Sequence, residues 1–122
     1  MFVQVLVDEQ INAGRAIVEA LRREHFPIST AFWYRIPESG YWRLVIASKL
    51  IDRIGSLEGY RRLHKILHEL GLWNTLSGSI SLLSPSDPTF RSLHEYAQGP
   101  GQFGIGPSEL HNMFQDAYFY AP

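Results

Sequence analysis

The chain has 122 residues, of which 45% are hydrophobic and 19% are charged, and its formal net charge is −1. These values predict one globular domain over residues 1–122 with a single core, and they exclude a largely disordered or low-complexity protein. The absence of cysteine excludes disulfides and thiolate zinc sites. No secretory signal pattern and no apolar run of ~20 residues are present, so we expect a cytoplasmic protein without a membrane partner.

The N-terminal segment predicts a strand followed by a helix. FVQVLV, residues 2–7, alternates weakly between apolar and polar side chains, as a short strand does. Asp8 is a suitable cap for an amphipathic helix that runs to about His25. Gly14 lies inside this helix, which indicates close packing of the helix backbone rather than a break.

A β-hairpin is predicted next, over residues 29–36 and 41–48, because both segments are rich in aromatic and β-branched side chains and a turn sequence joins them. Neither face of this hairpin has the polar pattern of a surface exposed to water, so both faces need to be covered. Helices cover one face, and we expect the C-terminal segment, a second copy of the chain or a ligand to cover the other. One face carries Ala31, Trp33, Arg35, Trp42, Leu44 and Ile46, and the other carries Phe32, Tyr34, Ile36, Tyr41, Arg43, Val45 and Ala47.

The second half of the chain predicts two more helices and two more strands. A turn over 51–55 leads to a helix from Ser56 to about Leu70, followed by a short strand at 78–83. Asp87 is then the expected N-cap of a third helix, with proline at its first position. That helix ends near Ala97, and residues 114–120 form a terminal apolar strand.

The predicted fold class is therefore α+β, a single domain with an antiparallel sheet and helices. The first six elements have the ferredoxin-like order β-α-β-β-α-β, and a C-terminal helix and strand follow. The order by itself carries no function.

No catalytic or metal-binding signature has the required spacing and context. GPGQFG, residues 99–104, fits a dinucleotide-binding pattern, but it follows a predicted helix and too little chain remains for the second strand of such a fold. His64 and His68 share one helix face, yet no second pair completes a metal site. We therefore predict no cofactor, no metal and no catalytic residues, and whether the chain is an enzyme stays open.

Positive charge is concentrated in residues 43–68, which hold six basic and two acidic residues and so carry +4, whereas the rest of the chain carries −5. This concentration predicts either a solvated helix face or a patch for phosphate or an acidic partner. The residues of the candidate patch, apart from Arg43 of the hairpin, are Lys49, Arg53, Arg61, Arg62 and Lys65.

These features favour a small non-enzymatic module for protein interaction or oligomerisation, which we expect to be a homodimer. The alternative partner is another protein. The candidate interface or ligand-binding residues are Trp33, Arg35, Tyr41, Trp42 and Arg43. One alternative is a nucleic-acid-binding domain that uses the basic region and the hairpin aromatics, since exposed aromatic side chains stack on bases. A second alternative is a small enzyme with an unrecognised site.

The segments FWYRIPESGYWRLVIAS and DRIGSLEGYRRL, with DAYFY near the C-terminus, resemble short uncharacterised bacterial proteins that have no assigned activity. The resemblance covers most of the chain as a general likeness of segment order, and no motif in it is tied to a reaction. It implies a bacterial cytosolic protein. In that pattern the first helix need not follow a strand, which leads to the alternative order α-β-β-α-β-α-β.

Overall fold

A computed structural model describes residues 6, 8–36, 38–98 and 117–120 of the chain, which form an α+β arrangement. From the first helix onwards the described elements follow the order that both predictions share, with one short helix, α3, added to it. The predicted strand at 2–7 and the GPGQFG segment lie outside the described residues, except for Leu6, which is in no strand. The elements are α1 (Asp8–Arg23), β1 (Ile28–Arg35), β2 (Trp42–Ser48), α2 (Leu50–Glu69), α3 (Trp73–Leu76), β3 (Ile80–Leu83), α4 (Pro88–Gln98) and β4 (Ala117–Phe119).

The described strands form one mixed sheet in the order β3-β2-β1-β4. β1 is antiparallel to both β2 and β4, as predicted, but β2 and β3 are parallel, so the expectation of a purely antiparallel sheet is wrong for this pair. The reason is the connection, because α2 and α3 carry the chain back to the same end of the sheet before β3 begins. The ferredoxin-like order is not confirmed. In that arrangement an N-terminal strand lies between the strands that correspond to β2 and β3, whereas here β2 and β3 pair directly.

Both faces of the hairpin are buried, and the two sets of side chains are divided as predicted. Trp33, Leu44 and Ile46 belong to a core shared with α1, α2 and α3, and each of the three is fully buried. Phe32 and Val45, also fully buried, belong to a second core on the opposite face. The sheet is therefore the middle layer between helices.

Helix α4 covers the second face of the sheet within the same chain. Its Phe90 and Ala97 are buried in the second core. The ring of His94 stacks on Phe90 at a centroid distance of 5.3 Å and lies 5.7 Å from Phe32, and burial lowers the pKa of this imidazole. The predicted cap is confirmed, because the Thr89 N–H donates to Asp87 Oδ1 at 2.8 Å.

Tyr120, just after β4, fixes α1 against the first face of the sheet. Its hydroxyl accepts a hydrogen bond from Trp33 Nε1 at 2.8 Å and donates one to the Ile11 carbonyl at 2.7 Å. Burial raises the pKa of Tyr120 to about 12. Gly14 is the close approach that the sequence indicated, because a Cβ at this position would overlap the Tyr120 hydroxyl. The α1 backbone therefore lies directly against this tyrosine.

Helix α2 is interrupted where the sequence predicted a turn. Gly55 has φ 83° and ψ 164°, values outside the helical region. A positive φ of this kind favours glycine, which has no Cβ. Residues 50–54 already form a helical turn before this break, so the predicted turn at 51–55 is confirmed only at Gly55.

Candidate interaction and ligand-binding surfaces

Two exposed aromatic side chains lie at the hairpin end of the second sheet face, one from the hairpin and one from α4. Tyr41 is 60% exposed and Tyr96, near the end of α4, is 47% exposed. Tyr96 meets the ring of Tyr34 edge to face at 6.1 Å, and Ile36 follows Tyr34 on the same face. The Ile36 N–H donates to the Tyr41 carbonyl at 2.8 Å, which places these two residues opposite each other. We call Tyr34, Ile36, Tyr41 and Tyr96 the hairpin patch.

One cation and one carboxylate border the hairpin patch. Arg43 lies opposite Tyr34 in the β1–β2 pair, and Glu38 lies in the hairpin turn. Burial raises the pKa of Tyr34, while the guanidinium of Arg43 acts in the opposite direction. Arg43 is held in place by hydrogen bonds from Nε to Ser81 Oγ at 2.7 Å and from Nη1 to the Gly78 carbonyl at 3.0 Å. The patch therefore has a fixed positive charge beside exposed tyrosine rings.

The other candidate interface residues of the hairpin are less accessible than Tyr41. Trp33 is 0% exposed and lies in the first core, whereas Trp42 and Arg35 are half-buried. Trp42 packs against the same core as Trp33. Since the sheet lies between helices, Trp33 and Phe32 offer no open ring face for stacking on nucleic-acid bases.

Arg43 lies apart from the other basic residues named in the sequence prediction. Arg43 points to the second sheet face, and α2 packs on the first. Arg61 and Arg62 both bind Glu58, at 2.6 Å and 2.9 Å. These two guanidinium groups lower the pKa of Glu58 to about 2. A large part of the charge on this stretch of α2 is therefore paired within the helix.

Two neighbouring cavities lie between the end of α1 and helix α2, and both are lined by Phe26. The smaller one, about 360 Å³, has three basic and two acidic residues on its wall. The larger one, about 530 Å³, is the basic cavity, and none of the described residues that line it is acidic. Its polar residues are Arg22, His25, Lys49 and Arg53, and Leu50 and Phe26 are among its apolar ones.

Sequence reasoning named Lys49 and Arg53 but missed Arg22, His25 and Tyr96. A signal for Tyr96 was present, because the apolar stripe of α4 leaves this aromatic ring outside the buried face. A signal for His25 was also present, since Phe26-Pro27 marked the end of α1 and a histidine stood where glycine is the usual residue. Arg22 gave no signal that separated it from other surface residues of α1.

The histidine pair of α2 contacts an aromatic ring. His68 stacks on Trp73 of α3 at 4.5 Å, and His64 meets the same ring edge to face at 5.1 Å. Within the described ranges, no group of three or more histidine, aspartate and glutamate side chains is arranged to hold a metal ion. The pair thus helps to fix α3 against α2.

No family model, curated protein or solved structure matches this chain. In the part of the chain that the structure describes, no helix has both the length and the apolar character needed to cross a bilayer.

Proposed function

We propose that the protein is a small, non-enzymatic, cytosolic interaction module that forms a homodimer through the hairpin patch. The observation that carries the proposal is the exposure of Tyr41 and Tyr96 at the end of a sheet face that is otherwise covered. Tyrosine is enriched in protein interfaces because its ring buries a large area at a small cost in side-chain entropy. The exposed ring of Tyr96 lies against the buried Tyr34, which gives it a rigid base.

The charges around the patch favour a second copy of the chain as the partner. In a twofold dimer the patch on one subunit faces the same patch on the other. Each charge at the border of one patch therefore lies near the border of the partner's patch. Glu38 and Arg43 border the same patch with opposite signs. A twofold contact that pairs Glu38 of one copy with Arg43 of the other would favour association electrostatically.

The edge of β3 is a weaker site for self-association than the hairpin patch. The Leu82 N–H, which lies on the outer edge of this strand, donates to the Tyr60 hydroxyl at 2.8 Å. An edge strand whose backbone donor is already satisfied is a poorer template for pairing with another chain. This leaves side-chain contacts at the hairpin patch as the better-supported interface.

Sedimentation velocity over a range of concentrations up to tens of micromolar tests the proposal. We expect the wild-type protein to dimerise and the double variant Tyr41→Ala/Tyr96→Ala to sediment as a monomer with an unchanged circular dichroism spectrum. Leu57→Ser is the matched control, because Leu57 is 87% exposed but lies on α2. A wild-type monomer at every concentration would contradict the dimer, and dissociation by Leu57→Ser alone would place the interface on α2.

A further inference from the structure

Helix α2 ends in a motif that reverses the chain direction through a glycine. The Leu72 N–H donates to the Leu67 carbonyl at 2.8 Å, and the Gly71 N–H donates to the His68 carbonyl at 3.1 Å. This pair of bonds defines the Schellman motif, whose penultimate residue adopts the left-handed conformation. Gly71 has φ 71°, which costs a glycine little because it has no Cβ.

Helix α1 ends in the same motif, but a histidine takes the place of the glycine. The Phe26 N–H donates to the Leu21 carbonyl at 2.9 Å, and the His25 N–H donates to the Arg22 carbonyl at 3.0 Å. His25 has φ 67° and is the sole non-glycine residue with positive φ among those that the structure describes. A glycine here would relieve the strain, so this position carries a side chain at a cost in stability.

The side chain of His25 lines the basic cavity together with three cations. Arg22 comes from the last turn of α1, and Lys49 and Arg53 come from the start of α2. Among the hydrogen bonds and ion pairs formed within the described residues, none involves the side chain of Lys49 or Arg53. Three formal positive charges thus surround a cavity without a carboxylate on its described wall.

The neighbouring cavity shows that this charge arrangement is not general along α2. There Glu24 and Glu69 line the same wall as Arg61, Arg62 and Lys65. Glu58 further pairs with two of these three cations. The two cavities share Phe26 yet differ in charge, so the positive character is specific to the one that contains His25.

The size and the wall of the basic cavity define the class of ligand. Its volume of about 530 Å³ is of the size of small-molecule sites, but it is an open surface groove, since Arg22, His25, Lys49 and Arg53 are all exposed. Guanidinium groups bind phosphate oxygens in pairs, and an imidazole donates a hydrogen bond whether neutral or protonated. The partly exposed residues Leu50 and Ile28 supply an apolar wall for the organic part of a ligand, whereas Phe26 is only 2% exposed.

We propose that the basic cavity binds a small organic phosphate of nucleotide size. Arg22, Lys49 and Arg53 surround its phosphate groups, and His25 donates a further hydrogen bond to them. The organic part lies against Leu50 and Ile28. This site is on the first-face side of the sheet and does not depend on the hairpin patch or on dimer formation.

Titration calorimetry at low salt, without divalent cations, tests this assignment with ADP, inorganic pyrophosphate and adenosine as probes. We expect ADP to bind more tightly than pyrophosphate, because only ADP contacts the apolar wall, and adenosine to bind much more weakly than either. Arg53→Gln and Lys49→Gln should each weaken ADP binding about tenfold or more, as expected for loss of a charged hydrogen bond. Arg91→Gln is the matched control, since Arg91 is an exposed cation on α4, and it should leave ADP affinity unchanged.

His25→Gly separates a binding role from a structural one. Relief of the left-handed strain should raise Tm by about 2–4 °C. The same variant should bind ADP several-fold more weakly than the wild type. A variant that is more stable and binds equally well would overturn the role of His25.

Three results would overturn the site itself. The first is no heat of binding with ADP or pyrophosphate at low salt. The second is an equal loss of ADP affinity in Arg53→Gln and Arg91→Gln, which would show general charge attraction. The third is tight binding of a single-stranded oligonucleotide that Arg61→Glu/Arg62→Glu abolishes and Arg53→Gln does not, which would assign the charge to a polynucleotide surface on α2.

Discussion

The hydroxyl of Tyr120 joins the C-terminal strand region to α1, and its removal tests whether this contact holds the helix on the sheet. Tyr120→Phe deletes one oxygen and keeps the ring, so the packing around it changes little. The Nε1–H of Trp33, a side chain that is 0% exposed, then loses its acceptor. A buried donor without a partner costs about 1–3 kcal/mol, so we expect the free energy of unfolding to fall by about 2 kcal/mol.

Thermal and urea unfolding, followed by circular dichroism, measure this loss. For a chain of 122 residues, about 2 kcal/mol corresponds to a decrease in Tm of about 8 °C. Tyr118→Phe is the matched control from β4, because among the described residues its hydroxyl accepts a single long bond of 3.3 Å, from Arg15 in an exposed position. We expect the control to change the free energy of unfolding by less than about 0.5 kcal/mol. Equal losses in the two variants would refute the reasoning.

Two further predictions concern pH and the capping of α4. Because the pKa of Tyr120 rises from 10.0 to about 12 on folding, its stabilising effect is complete below pH 10 and disappears as the pH rises towards 12. The difference in urea midpoint between wild type and Tyr120→Phe should therefore shrink over this range, and a constant difference would contradict the assignment. Asp87→Ala removes the acceptor of the Thr89 N–H and should cost about 1 kcal/mol in urea unfolding. Asp87→Asn keeps an acceptor and should cost less, so an equal cost would argue against the cap.

Local sequence was sufficient to predict the hairpin and the division of its two faces. The strands at 28–35 and 42–48 begin and end within one residue of the predicted positions. Side chains alternate across a strand, so the residues on each face follow once the strands are known. The same local rules predicted Asp87 as the cap of α4 and a turn that includes Gly55, because both depend on neighbouring backbone groups.

Features that depend on contacts between distant parts of the chain could not be predicted from local sequence. The short helix α3 depends on the contact of Trp73 with two histidines of α2, and four residues carry no periodic signal of their own. The parallel pairing of β2 with β3 depends on how the crossover helices pack on the sheet. The candidate surfaces were predicted in part, since Tyr41 and Arg53 were named without the side chains that accompany them.

The sequence by itself determined most of the described helices and strands, which hairpin side chains share a face, and that both faces need cover, since these follow from periodicity and local backbone chemistry. Only the tertiary structure decided that α4 covers the second face, that Tyr120 lies against Gly14, and that His25 meets Arg53 across a cavity. Those contacts join residues far apart in the chain. Their formation depends on the packing of whole elements, which a local pattern does not encode.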